Sequence, residues 1–208
     1  MGKRMLGGLL LVVCLLGLGG CVFGSVDEMY ALPKSSEAYV NLQAKINEEK
    51  GTGEYIAPLN GENRQTIQLV DVDEDGIQEA VAFFRDADAD TPLRIVIFKQ
   101  DDQGEYQVYA RIQGVGSEID SIEYVNLGGA GESDVLVSWQ AGSSLRTLVG
   151  YTITDGQPTE IMRSAYDRYL TADLDGDGQE EVVLAQAEEE SSSTRIEYYD
   201  SRDGVLTL

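Results

Sequence analysis

The chain has 208 residues, of which 37 are acidic and 15 are basic, so its formal net charge at pH 7 is −22. Such an acidic chain repels nucleic acid and anionic lipid headgroups, which argues against a nucleic-acid partner, whereas divalent cations would relieve its self-repulsion. It contains no histidine and only two cysteines, which excludes Ser-His-Asp and Cys-His catalysis and the usual zinc sites.

The beginning of the chain has the pattern of a bacterial export signal. Two basic residues precede an apolar stretch over 6–18, which is shorter than the roughly 20 residues of a transmembrane helix. The stretch ends in Leu-Gly-Gly-Cys at 18–21 and resembles a lipobox, in which the cysteine is lipidated and becomes the mature N-terminus. We therefore predict a lipoprotein signal peptide over 1–20 and lipidation at Cys21. The alternative is an ordinary secretory signal cleaved near Gly20.

Lipidation would place the protein outside the cytoplasm, anchored to the cell membrane by acyl chains. Cys14 would leave with the signal and Cys21 would carry lipid, so no disulfide could form. We therefore expect burial of a hydrophobic core, together with bound metal, to hold the exported domain.

The chain after the signal divides into three segments. Residues 21–34 are small, polar and acidic and predict a tether. Residues 35–65 begin with a helix up to about Lys50, indicated by Tyr39, Leu42 and Ile46 at helical spacing, and continue as an irregular connection.

Residues 66–208 consist of short β-branched and aromatic runs separated by turn residues, the pattern of an antiparallel all-β domain. Twelve strands are predicted, at 66–71, 79–85, 93–100, 105–112, 119–126, 134–140, 146–153, 159–163, 167–172, 181–187, 194–200 and 205–208.

Two nine-residue loops between these strands share one chemical pattern. Loop 1 covers 71–79 and loop 2 covers 173–181, and each has carboxylates at positions 1, 3, 5 and 9 and glycine at position 6. Ca²⁺ takes roughly 6–8 oxygen ligands, which alternate side chains of a tight loop can supply while glycine allows the turn. Neither loop is an EF-hand, because position 12 is alanine in one and leucine in the other, where an EF-hand has glutamate.

The pattern predicts two Ca²⁺ sites, with position 7 adding a backbone carbonyl; the alternative is a pair of metal-free acidic turns. The predicted ligands are Asp71, Asp73, Asp75, Ile77 and Glu79 in loop 1, and Asp173, Asp175, Asp177, Gln179 and Glu181 in loop 2.

A third copy, loop 3, covers 126–134 and has lost its central carboxylates. It keeps Asn126 at position 1 and Asp134 at position 9, but Gly128 and Ala130 replace the acids at positions 3 and 5. The loop starts are separated by 55 and 47 residues, with about four strands in each interval. Such a period is typical of propeller blades.

The Asp-x-Asp-x-Asp-Gly-x-x-Glu loops between strands resemble the calcium loops of FG-GAP and VCBS repeats, as in the propellers of integrin α-subunits. The chain also resembles bacterial surface lipoproteins that carry such repeats. The resemblance covers residues 66–208 and implies the same carboxylate ligands. The Phe-Gly-x-Gly-Ala-Pro element of the family is absent, and glutamate replaces the commoner aspartate at position 9.

The fold class expected is therefore mainly β, with antiparallel four-stranded propeller-like blades preceded by one helix. About three blades fit into residues 66–208, and propellers close with four or more, so an incomplete ring is predicted. The terminal strand at 205–208 would expose an edge. A longer parent chain or edge-to-edge association is the corresponding expectation.

The predicted function is non-enzymatic: a membrane-anchored, calcium-stabilised module that binds a protein or an envelope glycan. One alternative is a polysaccharide-active enzyme, or an accessory domain of one, because a glycosidase needs only two suitably spaced carboxyl groups. The other is a purely structural spacer.

Overall fold

A computed structural model describes residues 37–73, 75–87, 89–127, 134–142, 145–188, 193–202 and 205–208. The signal peptide at 1–20, the lipidation site Cys21 and the tether at 21–34 lie outside these residues. Among the described residues, no helix is both long enough and apolar enough to cross a membrane.

One helix and thirteen strands make up the described part of the chain. They are α1 (Glu37–Lys50), β1 (Glu54–Tyr55), β2 (Ile67–Val70), β3 (Glu79–Arg85), β4 (Leu93–Gln100), β5 (Tyr106–Gln113), β6 (Glu118–Val125), β7 (Asp134–Ala141), β8 (Leu145–Thr154), β9 (Gln157–Ala165), β10 (Arg168–Ala172), β11 (Glu181–Ala187), β12 (Thr194–Arg202) and β13 (Val205–Thr207).

The strands form three antiparallel sheets that follow one another along the chain. The first sheet has the order β1-β3-β4-β5, with β2 paired to the same edge of β3 as β1. The second has the order β6-β7-β8-β9 and the third β10-β11-β12-β13. Short connections between consecutive strands favour this antiparallel pairing. The mainly-β, antiparallel prediction is confirmed, whereas the arrangement of the sheets as propeller blades remains a prediction.

All twelve predicted strands are present within a few residues of their expected ends. The two-residue strand β1 was not expected, because Glu54 and Tyr55 form no apolar run. They extend the first sheet by pairing with Arg85 and Phe84.

The helix α1 packs against the first sheet through Leu42 and Ile46, which are buried. Tyr39, predicted on the same face, is 51% exposed, and Ala38 packs there instead. The helix ends at Lys50 and is followed by Gly51, whose φ of 53° is the left-handed conformation that commonly terminates helices.

Alternate residues of each sheet pack against different neighbours. Along β3, Ala80, Ala82 and Phe84 share a core with α1. Val81 and Phe83, which point to the opposite face, share a core with the second sheet.

The same alternation repeats in the next two sheets. Along β7, Val135 and Val137 pack with the first sheet, and Leu136 packs with the third. Along β11, Val182 and Leu184 pack with the second sheet. In each sheet, the first residue after position 9 of the loop packs against the element that comes before that sheet in the chain. In the first two sheets, the second residue after position 9 packs against the next sheet.

Candidate metal centres

Loop 1 joins β2 to β3, and loop 2 joins β10 to β11. A glycine allows each loop to turn sharply. Gly76 and Gly178, at position 6, have φ angles of 86° and 91°. L-residues with side chains rarely adopt this conformation. An added Cβ would meet nothing within 4 Å at either glycine, so backbone conformation and not crowding requires glycine there.

The carboxylate at position 1 fixes the turn in both loops. Asp71 Oδ2 accepts a hydrogen bond from the Gly76 N–H at 2.9 Å. Asp173 Oδ2 accepts the equivalent bond from Gly178 at 3.1 Å. Two loops that differ in several residues therefore adopt the same local hydrogen bonding.

The carboxylate at position 9 ties the end of each loop to its beginning. Glu79 Oε2 accepts a hydrogen bond from the Val72 N–H at 2.8 Å, and Glu181 Oε2 accepts one from the Leu174 N–H at 2.6 Å. Both glutamates are only 1% exposed. Position 9 is also the first residue of the following strand. Burial and this hydrogen bond together hold its side chain against the loop.

Three of the predicted carboxylates converge in each loop, those at positions 1, 3 and 9. In each set, one oxygen from every member lies within 4.8 Å of the others. The sets are Asp71, Asp73 and Glu79 in loop 1, and Asp173, Asp175 and Glu181 in loop 2. Two acidic clusters that could hold a metal ion are thus present.

Unpaired oxygens show that the loop 1 cluster fits a cation. Asp71 Oδ1, Asp73 Oδ1 and Glu79 Oε1 are buried and have no hydrogen-bond partner among the described residues. A buried carboxylate oxygen without a partner is costly. A hard cation prefers oxygen ligands and would satisfy all three.

The electrostatic environment of Glu79 agrees with this geometry. Burial raises the pKa of the Glu79 carboxyl, the hydrogen bond from Val72 opposes that rise, and the charge of Asp73 adds to it. A cation beside these carboxylates would favour their ionised forms.

At position 5, Asp75 and Asp177 are outside the converging sets, and both remain predicted ligands. Each of them accepts a hydrogen bond at 2.8 Å from the backbone N–H at position 7, which belongs to Ile77 or to Gln179. The bond to Ile77, followed by the contact with Lys99, lowers the pKa of Asp75. The backbone carbonyls of positions 7 remain predicted ligands.

Sequence reasoning missed Lys99 as part of loop 1. This residue lies in β4 and forms ion pairs with Asp73 and with Asp75, the latter at 3.0 Å. The nine-residue loop pattern does not include position 99, because the contact depends on the register between β3 and β4. A strand lysine twenty residues after an acidic loop, in a predicted hairpin, is the signal that could have found it.

A polar cleft lies away from the loops, between β6 and β10. It has a volume of about 310 Å³, and its lining includes Asp120, Arg146 and Tyr166. Asp120 is 5% exposed and accepts a hydrogen bond from Asn60 Nδ2 at 2.9 Å. Its other oxygen accepts a bond from the Tyr166 hydroxyl at 3.3 Å.

Comparisons with known proteins do not identify a family for this chain. No model of a known protein family matches the chain, and no curated protein sequence matches it. Among solved structures, the chain is similar to a Xanthomonas type IV secretion system related protein, at 12% sequence identity and a TM-score of 0.39. The match covers 72% of this chain and 62% of that chain. A likeness at this level defines neither a fold nor a function.

Proposed function

We propose that the protein is a lipid-anchored, extracytoplasmic binding module whose β-sheets are stabilised by Ca²⁺ and which docks a partner protein. The observation that carries the metal part is the set of three buried, unpaired carboxylate oxygens in loop 1, from Asp71, Asp73 and Glu79. Bound Ca²⁺ would neutralise the converging carboxylates and link positions 1, 3 and 9 of a loop.

Calcium suits these loops better than other common cations. The converging ligands are all oxygens, which disfavours softer metals that prefer thiolate or imidazole. Magnesium demands a tight octahedron and gives up its water reluctantly, whereas calcium accepts irregular sets of carboxylates. An exported protein would also meet calcium at concentrations that weak sites can use.

The docking part of the proposal rests on one face of the third sheet, here called the outer face. Its apolar residues are Leu170, Val183, Ala185, Ile196 and Tyr198, and Arg168, opposite Ala185, lies on the same face. Leu170, Val183 and Tyr198 lie side by side on three paired strands. Ile196 is 61% exposed, Leu170 is 49% exposed and Tyr198 is 42% exposed.

The repeat of the fold supports a choice of partner for this face. Val183 and Ala185 correspond to Val81 and Phe83 of the first sheet, which are covered by the second sheet. At the other end of the described chain, the helix α1 covers the remaining apolar face of the first sheet. A partner that presents an apolar sheet face or an amphipathic helix would therefore fit, with basic residues around it to match the acidic chain.

A pull-down from native cell envelope tests the docking proposal. The full-length tagged protein should retain a proteinaceous partner, and Ile196→Glu should lose it. Val40→Glu is the matched control, because Val40 is also 61% exposed but lies on α1. Binding that survives Ile196→Glu, or that Val40→Glu removes equally, contradicts the proposal. Sensitivity to polysaccharide-degrading enzymes would instead identify a glycan ligand, and dimerisation in light scattering would identify a second copy.

The membrane anchor has its own test. Wild-type protein expressed in a bacterium should fractionate with membranes and incorporate labelled palmitate, whereas Cys21→Ser should do neither. Identical processing and fractionation of the two proteins would show that Cys21 carries no lipid.

The polar cleft favours a second candidate function, a polysaccharide-active enzyme. Two carboxyl groups, Asp120 and Asp167, line it together with Arg146 and Tyr166, and a glycosidase requires such a pair. Release of reducing sugar from envelope polysaccharide by the wild type, lost in both Asp120→Asn and Asp167→Asn, would establish this activity. Release that both variants retain would exclude the cleft as its source.

A further inference from the structure

Lys99 places a positive charge inside the acidic cluster of loop 1. Its ammonium group bridges Asp73 and Asp75 and lies 5.8 Å from the centre of the Tyr109 ring. The side chain is 29% exposed, so the pair with Asp73 is less screened than a pair on the open surface.

The ammonium uses only part of the cluster. Asp73 engages Lys99 through Oδ2, whereas Oδ1 of the same residue remains among the three unpaired buried oxygens. A cation binding to those oxygens would come close to the ammonium, and like charges at such a distance repel strongly. Lys99 therefore opposes the entry of a second cation into the cluster.

Loop 2 has the opposite arrangement at the equivalent place. Ala80 pairs with Phe98 in the first sheet, so one more step of the register puts Lys99 opposite Glu79. Val182 pairs with Tyr199 in the third sheet, and one more step puts Asp200 opposite Glu181. Residues directly opposite in antiparallel strands lie on the same face.

The two loops thus differ by a swap of charge beside position 9. By the strand register, the four repeat carboxylates are accompanied by the Lys99 ammonium in loop 1 and by the Asp200 carboxylate in loop 2. The sequence repeat alone makes the loops look equivalent, and the strand register makes them different.

We infer that Lys99 is an internal competitor for the cation of loop 1, so that loop 2 binds Ca²⁺ more tightly and fills first. This inference rests on the proposed calcium binding. Filling of loop 1 requires the Lys99 ammonium to leave Asp73, which couples cation binding in that loop to a movement of this side chain at the end of β4. Over the concentration range between the two affinities, the protein carries calcium in loop 2 alone.

Calorimetric titration of the full chain with CaCl₂ tests the inference. Wild type should show two unequal sites, and Asp173→Asn should remove the tighter one while Asp71→Asn removes the weaker one. Lys99→Met keeps an unbranched apolar stem and removes the charge. It should tighten the weaker site by roughly tenfold, which corresponds to about 1.4 kcal/mol, and leave the tighter site unchanged.

Two further variants and a control complete the experiment. Lys99→Arg keeps the charge and should keep the sites unequal. Asp200→Lys should weaken the site that Asp173→Asn removes. Lys45→Met, on α1, should change neither site, and melting temperatures measured in calcium and in EGTA provide a second readout for any variant that titrates poorly.

The outcomes separate this inference from the proposed function. Two equal sites in wild type, or a Lys99→Met protein with wild-type affinities, would overturn the role of Lys99 and leave calcium binding intact. Absence of calcium binding in wild type, in Lys99→Met and in Lys99→Arg would overturn the proposed metal function itself.

Discussion

Asp134 accepts a hydrogen bond from the backbone N–H of Leu127, with 3.1 Å between Oδ2 and N. This is the bond that position 9 makes to position 2 in the other loops, where Glu79 bonds to Val72 and Glu181 bonds to Leu174. Loop 3 keeps the bond although its sequence lacks the carboxylates of positions 3 and 5. Position 9 therefore has a structural role that is separate from metal binding.

This separation predicts that Asp134 contributes to stability without calcium. Asp134 is 3% exposed, so Asp134→Ala should leave the buried Leu127 N–H without its acceptor and cost about 1–3 kcal/mol. The loss in free energy of unfolding, measured in urea, should be the same in calcium and in EGTA. Asp134→Asn keeps an acceptor oxygen and should lose less. A loss that disappears in EGTA would show that loop 3 still uses a metal.

The packing between the first two sheets should be intolerant of a single added carbon. A Cβ on Gly114 would lie 2.5 Å from Leu93 Cβ and 2.7 Å from Trp139 Cζ3. Trp139 and Leu93 belong to the same buried cluster, so neither can move away cheaply. Gly114→Ala should therefore destabilise the protein by about 1–3 kcal/mol.

Thermal unfolding measures this effect. Gly104→Asn is a suitable control, since Gly104 has a φ of 79° and open space around it and asparagine tolerates that conformation better than most residues. Equal melting temperatures for Gly114→Ala and wild type would contradict the close approach of the two sheets.

Buried tyrosines should make the protein sensitive to alkali. Burial raises the pKa of Tyr166 to about 12, against an opposing hydrogen bond from Ser138. It raises the pKa values of Tyr124 and Tyr169 further still. In the unfolded chain these hydroxyls ionise near pH ~10, so the folded state binds more protons above that pH.

Stability should consequently be insensitive to these groups below pH ~10 and fall as the pH rises through the folded-state pKa values. Absorbance at 295 nm should show one class of tyrosines titrating normally and another that ionises only on unfolding. Tyr124→Phe should reduce the slope of unfolding free energy against pH in the alkaline range. Normal titration of every tyrosine in the folded protein would show that these hydroxyls are accessible.

The sequence predicted much of the architecture because its strands are short β-branched runs with polar turns between them. β3, with Ala80 to Phe84, and β11, with Val182 to Leu184, begin directly after the acidic loops, as expected. Glycine at Gly76 and Gly178 likewise marked the two turns correctly, since the left-handed conformation requires it. These are local signals, and local signals can be read along a chain.

Features that depend on pairing between distant strands could not be read in that way. The contact between Lys99 and Asp73 joins residues 26 positions apart, and it follows from which residue of β4 lies opposite Glu79. The hydrogen bond from the Ile77 N–H to Asp75 also escaped prediction, while Asp75 remains a predicted ligand.

The outer face could not be predicted either. Val183 and Ala185 look like core residues in the sequence, as Val81 and Phe83 do. Whether an alternating strand buries one face or both depends on the elements stacked on it. The third sheet is packed with the second through Val182, whereas its other face includes the exposed Leu170 and Ile196.

Calcium removal is the measurement that tests the central claim most directly. At ~2 mM Ca²⁺, a site with a dissociation constant of ~10⁻⁴ M adds roughly 1.8 kcal/mol to the free energy of unfolding. Filling both loops should therefore raise the melting temperature by many degrees over that in EGTA, with magnesium far less effective. Asp73→Asn and Asp175→Asn should each remove the part of the calcium-dependent rise in melting temperature that one loop contributes. Asp102 is an exposed acid outside the loops, so Asp102→Asn should leave that rise unchanged. Wild-type protein that melts identically in millimolar calcium and in EGTA, and binds no calcium in a titration, would contradict the account.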